Sequence, residues 1–520
     1  MRIWFASLLT LIALGTTAMA EDTLTVATGG AFTSIDPHYH NLGPNNSIAN
    51  FVFEPLVKFD SQFHPVPGLA ASWRAIDANT WEFKLQPDAK FHDGTPFTAD
   101  DVAFTFGRIP QVLNSPSSFA FATKPVVKFD ILDPHTIRMT TAVPAPLFPL
   151  IVTAPMIVSR KYGEGATTAD YNSGKAAIGT GPYKLVAAAL GDRVTFKRND
   201  NWWDGKSPYE TVIYRMIPND ASRSAALQAG DVDVIDQVPT RDVASLRTNP
   251  KLAILSAPGQ RLIYLYVDYR EQSPGVTDLE GKPIPNPMLD VRVRRALSIA
   301  INRNGIRDRI MDGFSAPTAQ LMPEGASGYD ATIKPDAYDT EGAKKLLAEA
   351  GYPHGFAITL QGPNDRYIND RSIVEAIAQM WTRAGLKVTV DTKPASMFFA
   401  AAARDELGIS LTGWASDTGE ASSNLITILA SSNPAKGRGA VLRPSHYANP
   451  KVDEWVERAI ATPDETAREA LYREVTRIGT DDEAFIAIHH QVNVYAMRQG
   501  LPFHPRMTEG IRPQNFLPGR

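Results

Sequence analysis

A chain of 520 residues, 43% hydrophobic and 21% charged, is long enough for two to four domains, and its formal net charge of −4 includes no basic block. That pattern argues against nucleic acid as a partner. The absence of any cysteine excludes disulfide staples, thiolate metal sites, a cysteine nucleophile and a lipid-modified cysteine anchor.

At the N-terminus Arg2 precedes an apolar run from Ile3 to Leu14, and Ala18-Met19-Ala20 stands directly before Glu21-Asp22. This is the pattern of a cleavable secretory signal over residues 1–20, with an apolar stretch too short for a stable membrane span. With no cysteine to tether it, the exported chain is expected in the periplasm of a Gram-negative bacterium.

Leu24-Thr-Val-Ala-Thr alternates as a strand does and runs into Gly29-Gly30; Val52 to Phe59 reads as a second strand-like segment. Trp73 to Arg138 holds several short alternating stretches around a helical pattern at Thr98 to Arg108, which predicts a small sheet-rich module. Thr211–Ile217, Ala221–Ala229 and Val232–Ile235 predict a strand, a helix and a strand, the unit of an α/β layer. Pro274 to Met288 is a Pro/Gly-rich connector, and a hinge crossing is expected near residue 280. Beyond it come helices at Val291–Asn302 and Glu341–Ala350, a strand at Ala357–Leu360, an amphipathic helix at Asp370–Ala384 and a strand at Leu386–Val390. Strand-like Leu407–Leu411, helices near Val452–Ile460 and Thr466–Ile478, and a returning strand at Phe485–His489 complete the pattern.

Enzyme signatures are missing: the chain has no H-E-x-x-H, no G-x-S-x-G, no P-loop and no G-x-G-x-x-G. His38-Tyr39-His40 and His489-His490 are its histidine clusters, and neither has an acidic partner at a metal-like spacing. No cofactor is expected.

Four segments occur in a telling order: Phe91-His-Asp-Gly-Thr-Pro-Phe-Thr-Ala-Asp-Asp-Val, Ile178-Gly-Thr-Gly-Pro-Tyr, Asp290-Val-Arg-Val-Arg-Arg-Ala-Leu and Lys344-Lys-Leu-Leu-Ala-Glu-Ala-Gly-Tyr-Pro. Together with Asp36-Pro-His, Glu54-Pro-Leu-Val and Ala229-Gly-Asp-Val-Asp-Val-Ile, they make the chain resemble the family 5 solute-binding proteins of ABC importers. That family takes up dipeptides, oligopeptides, nickel complexes and some opines. The resemblance implies an α/β fold, a two-lobed periplasmic-binding-protein clamshell (type II, cluster C) with an extra sheet-rich subdomain in the first lobe. Its expected boundaries are 21–54, 177–275 and 488–520 for the first lobe, 55–176 for the subdomain and 276–487 for the second lobe. The arginines Arg292, Arg294 and Arg295 read either as an ion-paired helical face or as a substrate patch.

The resemblance also implies ligand residues. In peptide-binding members the aspartate three residues after a Gly-Trp pair grips the ligand ammonium; Gly413, Trp414 and Asp417 occupy those places. Asp417 has a second reading as a cap on the following helix, and Ala421, where a proline is common, puts the role of Glu420 in doubt. A loop arginine pairs with the carboxylate in dipeptide binders; Asn364 falls nearest that position, and Arg366 lies two residues on. Arg366 would clamp a carboxylate or phosphate bidentately, or pair within its own loop. Tyr39, His40 and their neighbours His38 and Asn45 follow the first strand, where α/β folds present their ligand loops.

The expected protein is thus not an enzyme but a monomer that traps a small-molecule or peptide ligand and hands it to the transmembrane subunits of an ABC permease. Within that class the alternatives are an opine or sugar phosphate, or a metal chelate, in place of a peptide.

Overall fold

The structure, a computed structural model, describes residues 23–61, 63–416, 418–433, 438 and 446–517. The secretory-signal reading of residues 1–20 and Asp417 therefore lie outside the described residues.

Two long antiparallel strands, Leu252–Tyr266 and Phe485–Arg498, run from one end of a twelve-stranded sheet into the other. Their register breaks between Pro258, opposite Val492, and Leu262, opposite His490, so Gly259, Gln260 and Arg261 bulge out of the ladder. A side chain on Gly259 would meet the Gln491 carbonyl at 2.5 Å, so the two backbones approach there as only glycine allows.

On one side of that break the sheet continues through Val234–Ile235, Thr23–Thr28, Thr211–Met216, Arg193–Arg198 and Tyr183–Ala189. Thr23–Thr28 lies parallel to both Thr211–Met216 and Val234–Ile235, and the helix Asp220–Ala229 makes the crossover. Asn219 starts that helix by accepting from the Ser222 amide, and Gly230 ends it at φ 83°. On the other side Leu262–Tyr266 pairs with Ser410–Trp414, and Ala357–Pro363 lies parallel to Lys387–Lys393 across the helix Asp370–Arg383. Val276–Thr277, within the Pro/Gly connector, pairs with Ala357–Ile358 at the outer edge of this half.

Strand alternation fills the cores. Ile263 and Leu265 point into one core with Ile486, Ile488 and Trp381; Leu262 and Tyr264 point into another with Leu425, Tyr472 and Phe485. Trp381 is fully buried, and its indole nitrogen donates to the Leu297 carbonyl at 2.9 Å. A separate core under the first half holds Leu24, Val26, Phe51, Phe196, Tyr214 and Tyr495. These halves are the two lobes of the clamshell.

The extra module is a four-stranded antiparallel sheet in the order Ala70–Ala75, Thr80–Leu85, Thr136–Thr141, Val126–Asp133. It packs Phe83, Ile137 and Met139 against Val102 and Phe106 of the helix Ala99–Arg108, which opens on a Thr98–Asp101 capping box. On its outer face Glu82 accepts from Arg74 and Arg138 on the flanking strands. Two of the ordered sequence segments explain each other here. The His92 Nε2 donates to the Gly181 carbonyl at 3.1 Å, and Nδ1 accepts from the Gly179 amide at 3.3 Å. A Cβ on Gly179 would stand 1.9 Å from the Val52 carbonyl oxygen, so the turn seals module to lobe only as glycine.

The arginine row Arg292, Arg294 and Arg295 is committed to structure. Arg292 pairs with Asp290, Arg294 with Asp482, and Arg295 with Asp336 and Glu483.

Candidate ligand cleft

Loops at the carboxyl ends of the parallel strands meet where the lobes face each other. Asp236 and Gln237 follow Val234–Ile235 in the first lobe; Ile368 belongs to the loop after Ala357–Pro363 in the second. All three line one small cavity with Gln491, Asn493 and Glu509. Asn369, held at φ 56°, donates from its amide to Thr240 Oγ1 at 2.8 Å and to the Ile310 carbonyl at 2.7 Å, joining the lobes on this side. On another side Gly419 (φ 73°) lies against Phe63: a Cβ there would be 2.6 Å from Phe63 Cδ1. The lobes are in contact across their cleft.

The second-lobe loop is built around Asp370. Its carboxylate accepts from the backbone amides of Arg366 and Tyr367, both at 2.9 Å, and of Arg371 at 2.8 Å. Burial nevertheless pushes its carboxyl up to about 6, the three amides only partly opposing. This turn leaves the Arg366 side chain half-buried over the Tyr367 ring, 5.0 Å from its centroid. Arg261, from the bulge, stands over the same ring at 5.6 Å and donates to the Gly413 carbonyl at 3.3 Å; the Tyr367 hydroxyl donates to that carbonyl at 3.2 Å. Gly413 is required: a Cβ would meet Ile263 Cδ1 at 2.9 Å and Tyr367 Cε1 at 3.0 Å.

The two arginines differ in partner. Arg261 grips both carboxylate oxygens of Glu509. Burial opposes the charge on Glu509, but Arg261, Arg366 and Arg512 outweigh it and hold its carboxyl below the usual range. Among the described residues the Arg366 guanidinium has no hydrogen-bonded carboxylate or carbonyl, and burial followed by repulsion from Arg261 lowers its pKa. Gln260, 3% exposed, likewise has no partner for either side-chain atom among the described residues. A half-buried guanidinium with no hydrogen-bonded acceptor among the described residues is a site for an anionic, planar group.

The structure thus brings Arg366, Gly413 and Trp414 into one neighbourhood through Tyr367 and Arg261. Trp414 is half-buried, opposite Leu262, and its indole donates to Ser423 Oγ at 3.3 Å. Asn364 stands at the start of the loop, where its backbone N–H donates to the Lys393 carbonyl at 3.0 Å. Glu420 is an anchor in the second lobe, accepting from the Tyr472 hydroxyl at 2.6 Å and from Arg468 at 3.4 Å.

Tyr39 and His40 have their hydrogen bonds within the first lobe. The Tyr39 amide donates to the Asp36 carbonyl, and His40 Nδ1 lies 3.4 Å from Thr33 Oγ1. Asn45 braces this loop by accepting from the Thr33 amide at 2.8 Å. Beneath it Arg108 donates to both oxygens of fully buried Asp36 and to His38 Nδ1 at 2.7 Å, while His38 Nε2 donates to the Met156 carbonyl at 2.7 Å. With both nitrogens committed, His38 is a structural, neutral imidazole. His489 and His490 are consecutive in a strand, so their rings leave opposite faces and do not converge on one ion.

Arg261, Glu509 and Gln260 were not legible as site residues in the sequence. Pro258-Gly259 reads as a turn and hides the strand that carries two of them.

Comparisons with known proteins give the family and the fold. Residues 64–436 match the family described as bacterial extracellular solute-binding proteins, family 5 Middle. The chain belongs to that family. It is similar to the glutathione-binding protein GsiB of Pectobacterium atrosepticum, 28% identical over 86% of this chain and 85% of that protein. GsiB of Escherichia coli K12 is 27% identical over 88% and 86%. Among solved structures, Helicobacter pylori DppA in complex with the peptide STSA shares the fold, with a TM-score of 0.79, 23% identity and 95% and 97% of the two chains covered. Campylobacter jejuni NikZ in complex with Ni(L-His) also has a TM-score of 0.79, with 22% identity and 95% and 98% coverage. The protein is the solute-binding component of an ABC importer, a transport protein and not an enzyme, and binding proteins of this family work in the periplasm of Gram-negative bacteria.

Proposed function

We propose that the chain captures a short peptide, or an amino-acid conjugate with a free carboxylate, and closes on it before handing it unaltered to the permease. The observation that carries this reading is the Arg366 guanidinium, half-buried in the cleft and without an anionic partner among the described residues. Arg366 takes the carboxylate in a bidentate pair, the Tyr367 ring holds the guanidinium plane, and Asp417 takes the ammonium. The assignment of Asp417 rests on the family resemblance and on its place three residues after Trp414. The hinge runs through Gly259–Arg261 and Gln491, where the two long strands leave one core for the other. On this reading the second lobe begins near residue 262 and the first resumes near 491, with the 276–283 connector wholly in the second lobe. Residues 1–20 direct the chain to the periplasm and are removed.

Two companions of the site favour a peptide over a metal chelate: the cation without a hydrogen-bonded acceptor among the described residues is an arginine, Arg366, and the paired histidines diverge. Calorimetry with a free tripeptide, its N-acetylated form and its C-terminal amide tests the reading. Both blocked forms should bind at least tenfold more weakly. Equal binding of all three would remove the two-ended grip.

A further inference from the structure

We propose that Asn369 is a positioning residue that ties the Arg366 loop to the first lobe, so that the arginine is set for its carboxylate when the lobes are joined. The inference rests on the reading of Arg366 above and adds the residue that couples it to the opposite lobe. Asn369 stands three residues after Arg366, at the N-cap of the helix Asp370–Arg383. An asparagine there ordinarily turns its side chain onto its own helix and accepts from an amide of the first turn. Asn369 does not: its backbone is left-handed, at φ 56° and ψ 25°, and its side chain makes no cap hydrogen bond. The Asp370 carboxylate holds the Arg371 amide instead, at 2.8 Å.

The side chain released from capping reaches the other lobe. Thr240 opens the short turn Thr240–Asp242 between Val238 and Val243, which lie in a first-lobe core with Ala27 and Ile235; it is 2% exposed. Ile310 packs against the second-lobe core. The Thr240 hydroxyl donates to the Ile310 carbonyl at 3.2 Å, which leaves its oxygen to accept from Asn369 Nδ2 at 2.8 Å. The same Nδ2 donates to the Ile310 carbonyl at 2.7 Å; a carbonyl only accepts, so this partner fixes which way the amide faces. Three groups from two lobes thus close one ring of hydrogen bonds. The link to the site is short and braced, because Asp370 holds the amides of Arg366 and Tyr367 and a shift at Asn369 carries Arg366 with it. A carboxylate that fixes Arg366 therefore favours the bond to Thr240, and that bond favours the carboxylate by the same factor.

Hydrogen exchange and calorimetry on the mature protein test this. Thr240→Val removes only a first-lobe hydroxyl, yet amide exchange across 364–371 of the second lobe should speed severalfold, with no solute needed. Asn369→Gly, which takes the left-handed backbone without strain, should do the same. With Ala-Ala-Ala as probe, each variant should bind about three- to tenfold more weakly, and the double variant no more weakly than either alone. Thr240→Ser keeps the hydroxyl and should bind as the wild type does. The C-terminal amide of the probe has no carboxylate for Arg366 and should lose little from Thr240→Val. Unchanged loop exchange in both variants, additive losses, or equal losses for the acid and its amide would overturn the positioning role. Failure of the wild type to bind the tripeptide would instead overturn the peptide reading, with loop exchange still deciding the tie to Thr240.

Discussion

Arg261 and Arg366 stand over the same ring, that of Tyr367, at 5.6 and 5.0 Å, but Arg261 is locked to Glu509 while Arg366 has no such lock among the described residues. The first arginine is architecture and the second a tool. Arg366→Ala should therefore weaken carboxylate-bearing solutes about ten- to a hundredfold, the worth of a charge-assisted hydrogen bond, with little change in stability. Arg366→Lys should recover only part, because an ammonium lacks the planar fork. Arg261→Ala should do the reverse first: it leaves Glu509 buried without its counter-charge and lowers the thermal midpoint. Calorimetry paired with thermal unfolding separates the two, and equal loss of stability for both would contradict the division.

Gly419 and Phe63 touch across the cleft. Gly419→Ala imposes a Cβ at φ 73° and places it 2.6 Å from Phe63 Cδ1 and 3.2 Å from the Phe63 carbonyl oxygen. Closure should suffer. The variant is expected to bind at least severalfold more weakly and to show a larger radius of gyration with ligand than the wild type in small-angle scattering. Adding Phe63→Ala should restore part of the affinity. An unchanged ligand-bound radius would sink the contact as a determinant of closure.

Arg108 offsets the buried charge of Asp36, whose carboxyl is held low by Arg108 and His38 against the opposing effect of burial. Arg108→Met should cost about 3–5 kcal/mol of stability by stranding that carboxylate. Because the pair lies beneath the first-lobe loop, solute affinity of the folded fraction should stay within about twofold. Urea unfolding and calorimetry decide the matter; affinity lost in step with stability would move this pair into the binding machinery.

Much of the fold was legible because its periodicities are local. The capped helix Ala99–Arg108, the crossover helix Asp220–Ala229 and the amphipathic helix Asp370–Arg383 are where their apolar spacing predicts. The longest strand, Leu252–Tyr266, escaped notice because Pro258-Gly259 in its middle has the chemistry of a turn, whereas here it is a bulge made by two backbones crossing. The helix Ala395–Ala403 was missed too, its apolar residues having no face to prefer. At the site, Arg366 was legible as a loop arginine without a fixed role. Its distinction from Arg261 was not, because that depends on Glu509, nearly 250 residues away from Arg261 in the chain.

Acid should loosen this protein before it reaches the usual carboxylate range. Burial holds His38, His92 and His490 down at about 4 and His489 at about 3, against 6.5 in an open chain. Between pH 6.5 and 4 the unfolded chain binds protons that these four folded imidazoles refuse, so stability is full above 6.5 and falls as pH drops. Asp236 and Asp370, pushed up to about 6 by burial, act oppositely between 6 and 3.8 and offset part of the loss. Carboxyls such as Asp330, held at about 2 by hydrogen bonds from Thr332 and then by Arg477, add theirs only below that window. The denaturant midpoint should decline from pH 6.5 to 4, and His489→Leu should flatten the decline. A midpoint that is level across this range would contradict the assignment.

The most direct measurement is native mass spectrometry of the protein isolated from the periplasm of cells that express it. The account predicts a retained, non-covalent mass that matches a short peptide with both termini free and is released unchanged on denaturation. A retained nickel chelate or phosphorylated conjugate, or a protein that stays empty when challenged with peptides, would contradict it.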